Sequence, residues 1–211
     1  IAANATAMTV IAASSAFSTE CASNSAAVNI FAASSTAMTA LAANSVAMTA
    51  FGANSTAMGI IALSSTSMNI IAASSTAMTA LAASSIAMAP IAASSTAMTA
   101  LIGTATARNT FIASSIAMTA IVASSTAMNI IVADATTMTA LAASNAGMTV
   151  LAGSSPGMTI VAASTTAMNI IAANVAVALN VLATSTTALS IMTASATARN
   201  ALYAVSTKIN H

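Results

Sequence analysis

Residues 72–101 read AASSTAMTALAASSIAMAPIAASSTAMTAL, a stretch in which one ten-residue phrase occurs three times. Counted in tens from Ile1, the chain keeps this register without insertion to about residue 170, with the consensus (I/L)AASSTAMTA. Fourteen of the fifteen methionines stand at position eight of their decamer. Self-similarity at a short fixed period is typical of a solenoid or a repeat array. The decamer is therefore the unit from which the fold is predicted.

Position four of the decamer carries a side chain that can begin a helix. Ser, Thr, Asn and Asp at this place can accept hydrogen bonds from the free N–H groups of a first helical turn. These residues are Asn4, Ser14, Asn24, Ser34, Asn44, Asn54, Ser64, Ser74, Ser84, Ser94, Thr104, Ser114, Ser124, Asp134, Ser144, Ser154, Ser164 and Asn174. Because Ala, Met and Leu follow each of them, the pattern predicts one short helix per decamer.

The helical interpretation also separates the apolar positions from the polar ones. On a wheel of 100° per residue, positions seven, eight, one and two fall within an arc of about 140°. Positions six and nine, usually Thr or Asn, face away from that arc. A strand would put Thr beside Met on one face, which segregates the side chains less well. We therefore predict an all-α solenoid with Met, Leu, Ile and Ala in its core.

Two features favour the alternative, a narrow β-solenoid. Pro90 falls five or six residues into its predicted helix, where it should shorten or kink that helix. Pairs such as Ile130-Ile131 and Ile160-Val161 are typical of strands.

A second period of twenty residues lies beneath the first. Phe31, Phe51 and Phe111 all fall on alternate decamers, and decamers of the other set carry Leu41, Leu81, Leu101 and Leu141 at position one. Asn at position nine also occurs in only one of the two alternating sets of decamers, which we call one parity. This alternation predicts that the ten-residue repeats pair into stacked 20-residue hairpins. Residues 1–170 form the regular decapeptide solenoid in this interpretation, and 171–211 form divergent repeats continuing it, shifted by one residue.

The composition argues against catalysis and against several classes of ligand. Charged residues are 2% of the chain and the net charge is +1, so nothing attracts nucleic acid. Mean hydropathy is +0.96, but a polar cluster interrupts every ten residues, and we predict no membrane span. No cluster of His, Cys or carboxylate residues suggests a metal or a cofactor, and no Ser has a base to activate it. We therefore predict a protein that is not an enzyme and has no catalytic, cofactor-binding or metal site.

The few reactive side chains have structural interpretations. Arg108 and Arg199 each replace a core Met within the phrase ATARN, and either extend along neighbouring Ala or bond the carbonyl end of an adjacent helix. A grip on a neighbouring chain is the functional alternative. Asp134 is expected to cap a helix, Cys21 to fill the core, and the terminal His211 not to be a ligand.

The Thr and Asn positions outside the core are the best candidates for a binding surface. A ladder of Thr could order water as ice-binding surfaces do, could bind glycan, or could form the contact to another chain. The chain is so poor in charge that we favour self-association or packing against other structural subunits.

The phrase SSTAMxA(I/L)AA and its variant ATARNALYAVST at 196–207 resemble the decapeptide arrays of tailed-bacteriophage virion proteins. Those arrays run SxTA(M/L)xA(V/I) with interleaved ARxA(V/L)Y phrases and are often assigned to tail fibres. The resemblance covers nearly all of residues 1–210, although the acidic DSDT phrases of many such arrays are missing here. It implies a non-enzymatic rod, fibre or coat segment located in a virion or an extracellular filament.

Overall fold

The computed structural model describes the backbone of residues 1–209 and the side chains as far as Ala204. The predictions made for His211 lie outside these residues. Over the described range the chain forms α-helices and one π-helical segment, with no strand. The all-α solenoid is therefore confirmed and the narrow β-solenoid is wrong.

Nearly all the helices are eight or nine residues long and are separated by one or two residues. Their bounds are α1 Ala5–Ala13, α2 Ser15–Ser23, α3 Ser25–Ala32, α4 Ser35–Ala42, α5 Ser45–Gly52, α6 Ser55–Ala62, α7 Ser65–Ala73, α8 Ser75–Ala82, α9 Ser85–Ala93, α10 Ser95–Ile102, α11 Ala105–Ala113, α12 Ser115–Ala123, α13 Ser125–Ala133, α14 Ala135–Ala142, α15 Asn145–Gly153, α16 Ser155–Ala163, α17 Thr165–Ala173, α18 Asn180–Ala183, α19 Thr186–Ala194 and α20 Ala196–Ile209, with the π-helical segment at Val175–Leu179.

The side chain at position four caps the helix that follows it, as predicted. In α1–α10 and in α12–α17 this side chain accepts a hydrogen bond from a backbone N–H in the first helical turn. Ser74 is representative: it ends α7, its φ and ψ of −96° and 114° are extended, and its Oγ accepts from the N–H of Ala77 at 3.2 Å. One extended residue is thus enough to end one helix and begin the next.

These extended corners bend the chain by about a right angle. The chain bends by 102° between α3 and α4, at Ala33 and Ser34, and by 104° between α8 and α9. A hairpin would require a reversal near 180°, so the predicted pairing into 20-residue hairpins is wrong. Successive bends of this size bring the chain back over itself after about three helices.

Each helix instead packs on the third helix after it. In the first half of the chain these pairs are α1–α4, α2–α5, α3–α6, α4–α7, α5–α8, α6–α9 and α7–α10. In the second half they are α12–α15, α13–α16, α14–α17, α15–α18, α16–α19 and α17–α20. One turn of the solenoid therefore holds three helices and about thirty residues, and the alternation of Phe and Leu along the sequence does not set the packing partner.

Serine at position four also joins one turn to the next. Its Oγ donates to the backbone carbonyl of the residue 32 positions earlier, which is position two of an earlier decamer. Examples are the bonds from Ser64 to Ala32 at 3.0 Å and from Ser84 to Gly52 at 2.7 Å. Because a hydroxyl group can accept and donate at once, one side chain caps its own helix and satisfies a carbonyl at the end of another. The same bond recurs as Ser34 to Ala2, Ser74 to Ala42, Ser94 to Ala62, Ser144 to Ile112 and Ser154 to Val122.

The core is built from the predicted positions. Met78 and Leu81, at positions eight and one, are 0% exposed, and so is Ala77 at position seven, whereas Thr79 at position nine is exposed.

Small residues at position seven allow turns to approach closely. A Cβ added at Gly147 would lie 2.6 Å from Leu141 Cδ1 and 3.1 Å from the carbonyl oxygen of Ile112, so no larger residue fits unless these neighbouring atoms move.

Pro90 does not shorten its helix, which was one of the two outcomes expected for it. Helix α9 runs through it from Ser85 to Ala93, as long as the longest of its regular neighbours. The proline removes the N–H that would bond the carbonyl of Ile86, but Ile86 is 48% exposed, so water can donate to that oxygen instead.

The one-residue shift predicted for the repeats beyond residue 170 coincides with a π-helical turn at Val175–Leu179. A π turn contains one more residue than an α turn, so it takes up the insertion inside a helix. Beyond it, the bond between turns spans 33 residues, as from Ser185 Oγ to the carbonyl of Ala152 at 2.6 Å.

The chain divides into two compact units, Ile1–Phe111 and Ile112–His211. The distinction between a regular segment at 1–170 and a divergent one at 171–211 stays a prediction.

Within the described part of the chain, no single helix is both long and apolar enough to cross a bilayer. Six pairs of successive helices meet the length and hydropathy requirement jointly, each bent by 89–104° at its break.

Candidate functional surfaces

Arg108 bonds the end of the helix that precedes it. Its Nη1 donates to the carbonyl of Ile102, the last residue of α10, at 3.0 Å. A cation at a helix C-terminus satisfies a free carbonyl and complements the helix dipole. The Nε of Arg108 is buried and has no partner among the described residues. The predicted hydrogen bond from this arginine to a carbonyl group at the end of an adjacent helix is confirmed.

Arg199 repeats the arrangement in the second unit. Its Nη1 donates to the carbonyl of Thr193 near the end of α19, again six residues earlier. The phrase ATARN is thus a local device in which the arginine at position eight turns back to the preceding helix. A grip by either arginine on a neighbouring chain stays a prediction.

Asp134 and Cys21 also have structural surroundings. Asp134 caps α14, and its Oδ1 accepts from the N–H of Thr137 at 2.6 Å, as predicted. Cys21 is buried at 8% exposure and fills the place of a core aliphatic residue, as predicted. Burial, and then the negative charge of Glu20, raise the pKa of the Cys21 thiol. The reactive thiolate is therefore disfavoured at neutral pH.

No three His, Cys, Asp or Glu side chains lie close enough to hold a metal ion among the residues that the structure describes.

Shallow grooves run between helices of successive turns. The groove between α5 and α8 has a volume of about 670 Å³ and is lined by Ser, Thr, Ala and one isoleucine, Ile86. A groove of about 460 Å³ between α7 and α10 is lined by Ser, Thr, Asn, Ala and Gly. Neither lining contains a charged or aromatic side chain, so these grooves offer contact area and hydroxyl groups but no acid–base pair.

The three-helix turn sorts the outward residues of the first unit onto three faces. The hydroxyl face consists of the outward residues of α1, α4, α7 and α10. At position six it carries Thr6, Thr36, Thr66 and Thr96, and at position nine Thr9, Thr39, Asn69 and Thr99. The face of α2, α5 and α8 carries Thr19, Thr49 and Thr79 at position nine. The face of α3, α6 and α9, which we call the apolar face, carries Asn29, Gly59 and Ala89 there.

This sorting changes the predicted Thr and Asn ladders. Alternate decamers do not share a face, because the chain returns to a face every third decamer. The hydroxyl face therefore mixes both parities, with Thr39 and Asn69 next to each other on α4 and α7. Reading every third decamer of the sequence would have shown the difference between the faces.

Comparison with protein-family models found no match for this chain, and comparison with curated proteins found none. The resemblance to phage decapeptide arrays consequently stays a prediction.

Proposed function

We propose that this protein is a non-enzymatic structural component, a rod, fibre or coat segment that assembles through repeated lateral packing. The observation that carries the proposal is the repetition of shallow, uncharged grooves between successive turns, as between α5 and α8 and between α7 and α10. Identical spacing along one chain allows the same contact to be made many times, and this is how repeat proteins use an extended face. With a net charge of +1, the chain resists association with its own copies only weakly.

The resemblance to phage decapeptide arrays supports a virion or an extracellular filament as the location. The structural arrangements of Arg108, Asp134 and Cys21 are consistent with a role that involves no chemistry.

The test is the assembly state of the purified full chain over a wide concentration range. We expect sedimentation velocity to show concentration-dependent assembly and electron microscopy to show regular particles or filaments. A chain that stays a monodisperse monomer at the highest attainable concentration would contradict the proposal.

A second candidate function, binding of ice or glycan, is favoured by the hydroxyl face. Two rows of mainly Thr side chains cross the helices of this face, one at position six and one at position nine. On α4 the first row contains Thr36 and the second contains Thr39. A regular array of hydroxyl and methyl groups can order water or hydrogen-bond a sugar.

Thermal hysteresis and glycan-array binding test this second function. The variant Thr36→Val/Thr66→Val alters the hydroxyl face, and Thr49→Val/Thr79→Val is the matched control on the neighbouring face. Loss of a signal in the first variant alone would support the second function, and absence of any signal in the unchanged protein would refute it.

A further inference from the structure

The apolar face of the first unit exposes large aliphatic side chains on three adjacent helices. Ile30 of α3 is 59% exposed, Leu63 at the end of α6 is 75% exposed, and Ile86 of α9 is 48% exposed. These residues are about thirty positions apart in the sequence, and the packing of α3 on α6 and of α6 on α9 brings them onto one surface. None of the outward residues on these three helices is charged.

Position nine is also unusual on this face. Thr or Asn stands at position nine throughout the other two faces of the unit, but Gly59 and Ala89 stand there on α6 and α9. The face therefore combines exposed aliphatic side chains with two places, Gly59 and Ala89, where the side chain is absent or a single methyl group; we call these two places hollows.

Two residues of this face weaken their own helices. A Cβ added to Gly59 would meet nothing within 4 Å, so internal packing does not require a glycine there. Glycine in a helix interior is destabilising relative to alanine. Pro90 removes a helical hydrogen bond in α9 on the same surface. A residue such as Gly59, which costs stability and is not required by internal packing, is expected where another molecule approaches closely.

We propose that the apolar face binds the apolar face of a second copy of this chain. This inference rests on the proposed function and names one surface, separate from the grooves of α7 and α10, through which lateral packing occurs. A second copy is the partner whose helices repeat at the same spacing, about 8–10 Å for helices in contact, so ridges and grooves stay in register across all three helices. In a two-fold arrangement, Leu63 and Ile86 of each copy can enter the hollows at Gly59 and Ala89 of the other.

The size of the face is consistent with a reversible contact. Helices of eight or nine residues are about 13 Å long, and three of them side by side span about 27 Å. The flat projection is thus about 350 Å² per copy, and the accessible surface buried by both copies is on the order of 1,000 Å², near the lower limit for a specific interface. Because the face is uncharged, association through it is expected to depend only weakly on salt.

The test uses the full chain and substitutions that keep each helix within its repeat pattern. Leu63→Ala/Ile86→Thr introduces the consensus residues for positions three and six, and Ala89→Lys places a charge in one hollow. The matched controls lie on the other two faces, away from the grooves described above: Val10→Ala shortens another exposed aliphatic side chain, and Thr19→Lys adds a charge at position nine. Circular dichroism melting curves establish that each variant is folded.

Sedimentation equilibrium is expected to show a dimerisation Kd at least tenfold higher for the two apolar-face variants, and changed by less than threefold for the controls. In a Cys21→Ala background, a mixture of Ile86→Cys and Ala89→Cys chains is expected to form a disulfide between the two variants under mild oxidation, and Thr19→Cys chains are not expected to cross-link. If the unchanged chain associates but both sets of variants behave alike, this surface is the wrong one and the proposed structural function still stands. If the unchanged chain does not associate at all, both proposals fail.

Discussion

Removal of the hydroxyl group of Ser84 tests the double role of the serine at position four. Its Oγ accepts from the N–H of Ala87 at 3.2 Å and donates to the carbonyl of Gly52 at 2.7 Å. In Ser84→Ala both groups lose their partner. Loss of an N-cap costs about 1 kcal/mol, and loss of a hydrogen bond to a carbonyl at a helix end costs about 1 kcal/mol more. We expect the free energy of unfolding to fall by about 2 kcal/mol.

Two further variants separate the contributions. Ser85, the next residue, is exposed and its side chain has no hydrogen-bond partner in the described part of the chain, so Ser85→Ala should change stability by less than about 0.5 kcal/mol. Asparagine caps helices at Asn44 and Asn54, where it accepts from the N–H of the residue three positions later. Ser84→Asn should therefore keep the cap, lose the bond between turns and show about half the effect of Ser84→Ala.

Urea unfolding followed by circular dichroism at 222 nm measures these differences. With an m-value of about 2 kcal/mol/M, a loss of 2 kcal/mol lowers the midpoint by about 1 M. Repeat proteins can unfold in parts, so hydrogen exchange at the amide of Ala87 provides the local measurement. Equal midpoints for Ser84→Ala and Ser85→Ala would refute the double role, and a loss in Ser84→Asn as large as in Ser84→Ala would show that capping contributes nothing.

Three more predictions concern small residues and the thiol. Gly147→Ala should lower the urea midpoint by an amount equivalent to about 1–3 kcal/mol because its methyl group overlaps neighbouring atoms. Gly153→Ala, whose added Cβ would meet nothing within 4 Å, should raise the urea midpoint by an amount equivalent to about 0.5–1 kcal/mol, and equal effects at the two sites would contradict the packing described. Ser67→Ala removes a buried hydroxyl group but should cost less than about 0.5 kcal/mol, because Ser64 still donates to the same carbonyl; a larger loss of stability would show that both donors are needed. The thiol of Cys21 should react with a disulfide reagent at pH 8 much more slowly in the folded chain than in urea. Since its pKa is raised by folding, the unfolded chain releases this proton first and stability should fall as the pH rises through the ordinary thiol range, a fall that Cys21→Ala should abolish.

The local structure could be predicted because it depends on contacts within one decamer. Capping by Ser74, the buried place of Met78 and the exposed place of Thr79 all follow from side chains less than ten residues apart. The same holds for Asp134, which caps its helix through the N–H three residues later. Such interactions are fixed by helical geometry whatever surrounds the helix.

The effect of Pro90 was not predictable on the same basis. A proline in a helix interior usually interrupts the helix, but here the neighbouring turns pack against α9 and the carbonyl it leaves free lies at an exposed residue. Packing of the buried residues on either side holds the helix together, and that packing is not visible in the decamer itself.

The sequence alone determined the helices of this protein, their length, their caps and the side of each helix that is buried. The tertiary structure decided how many helices make a turn, because that number depends on bends such as the 102° between α3 and α4 and on the hydrogen bonds between residues 32 positions apart. Which side chains share a face follows from that number. Ile30, Leu63 and Ile86 lie together on the apolar face because the chain returns every thirty residues, a spacing set by backbone geometry at the corners and not by the order of residues within a repeat.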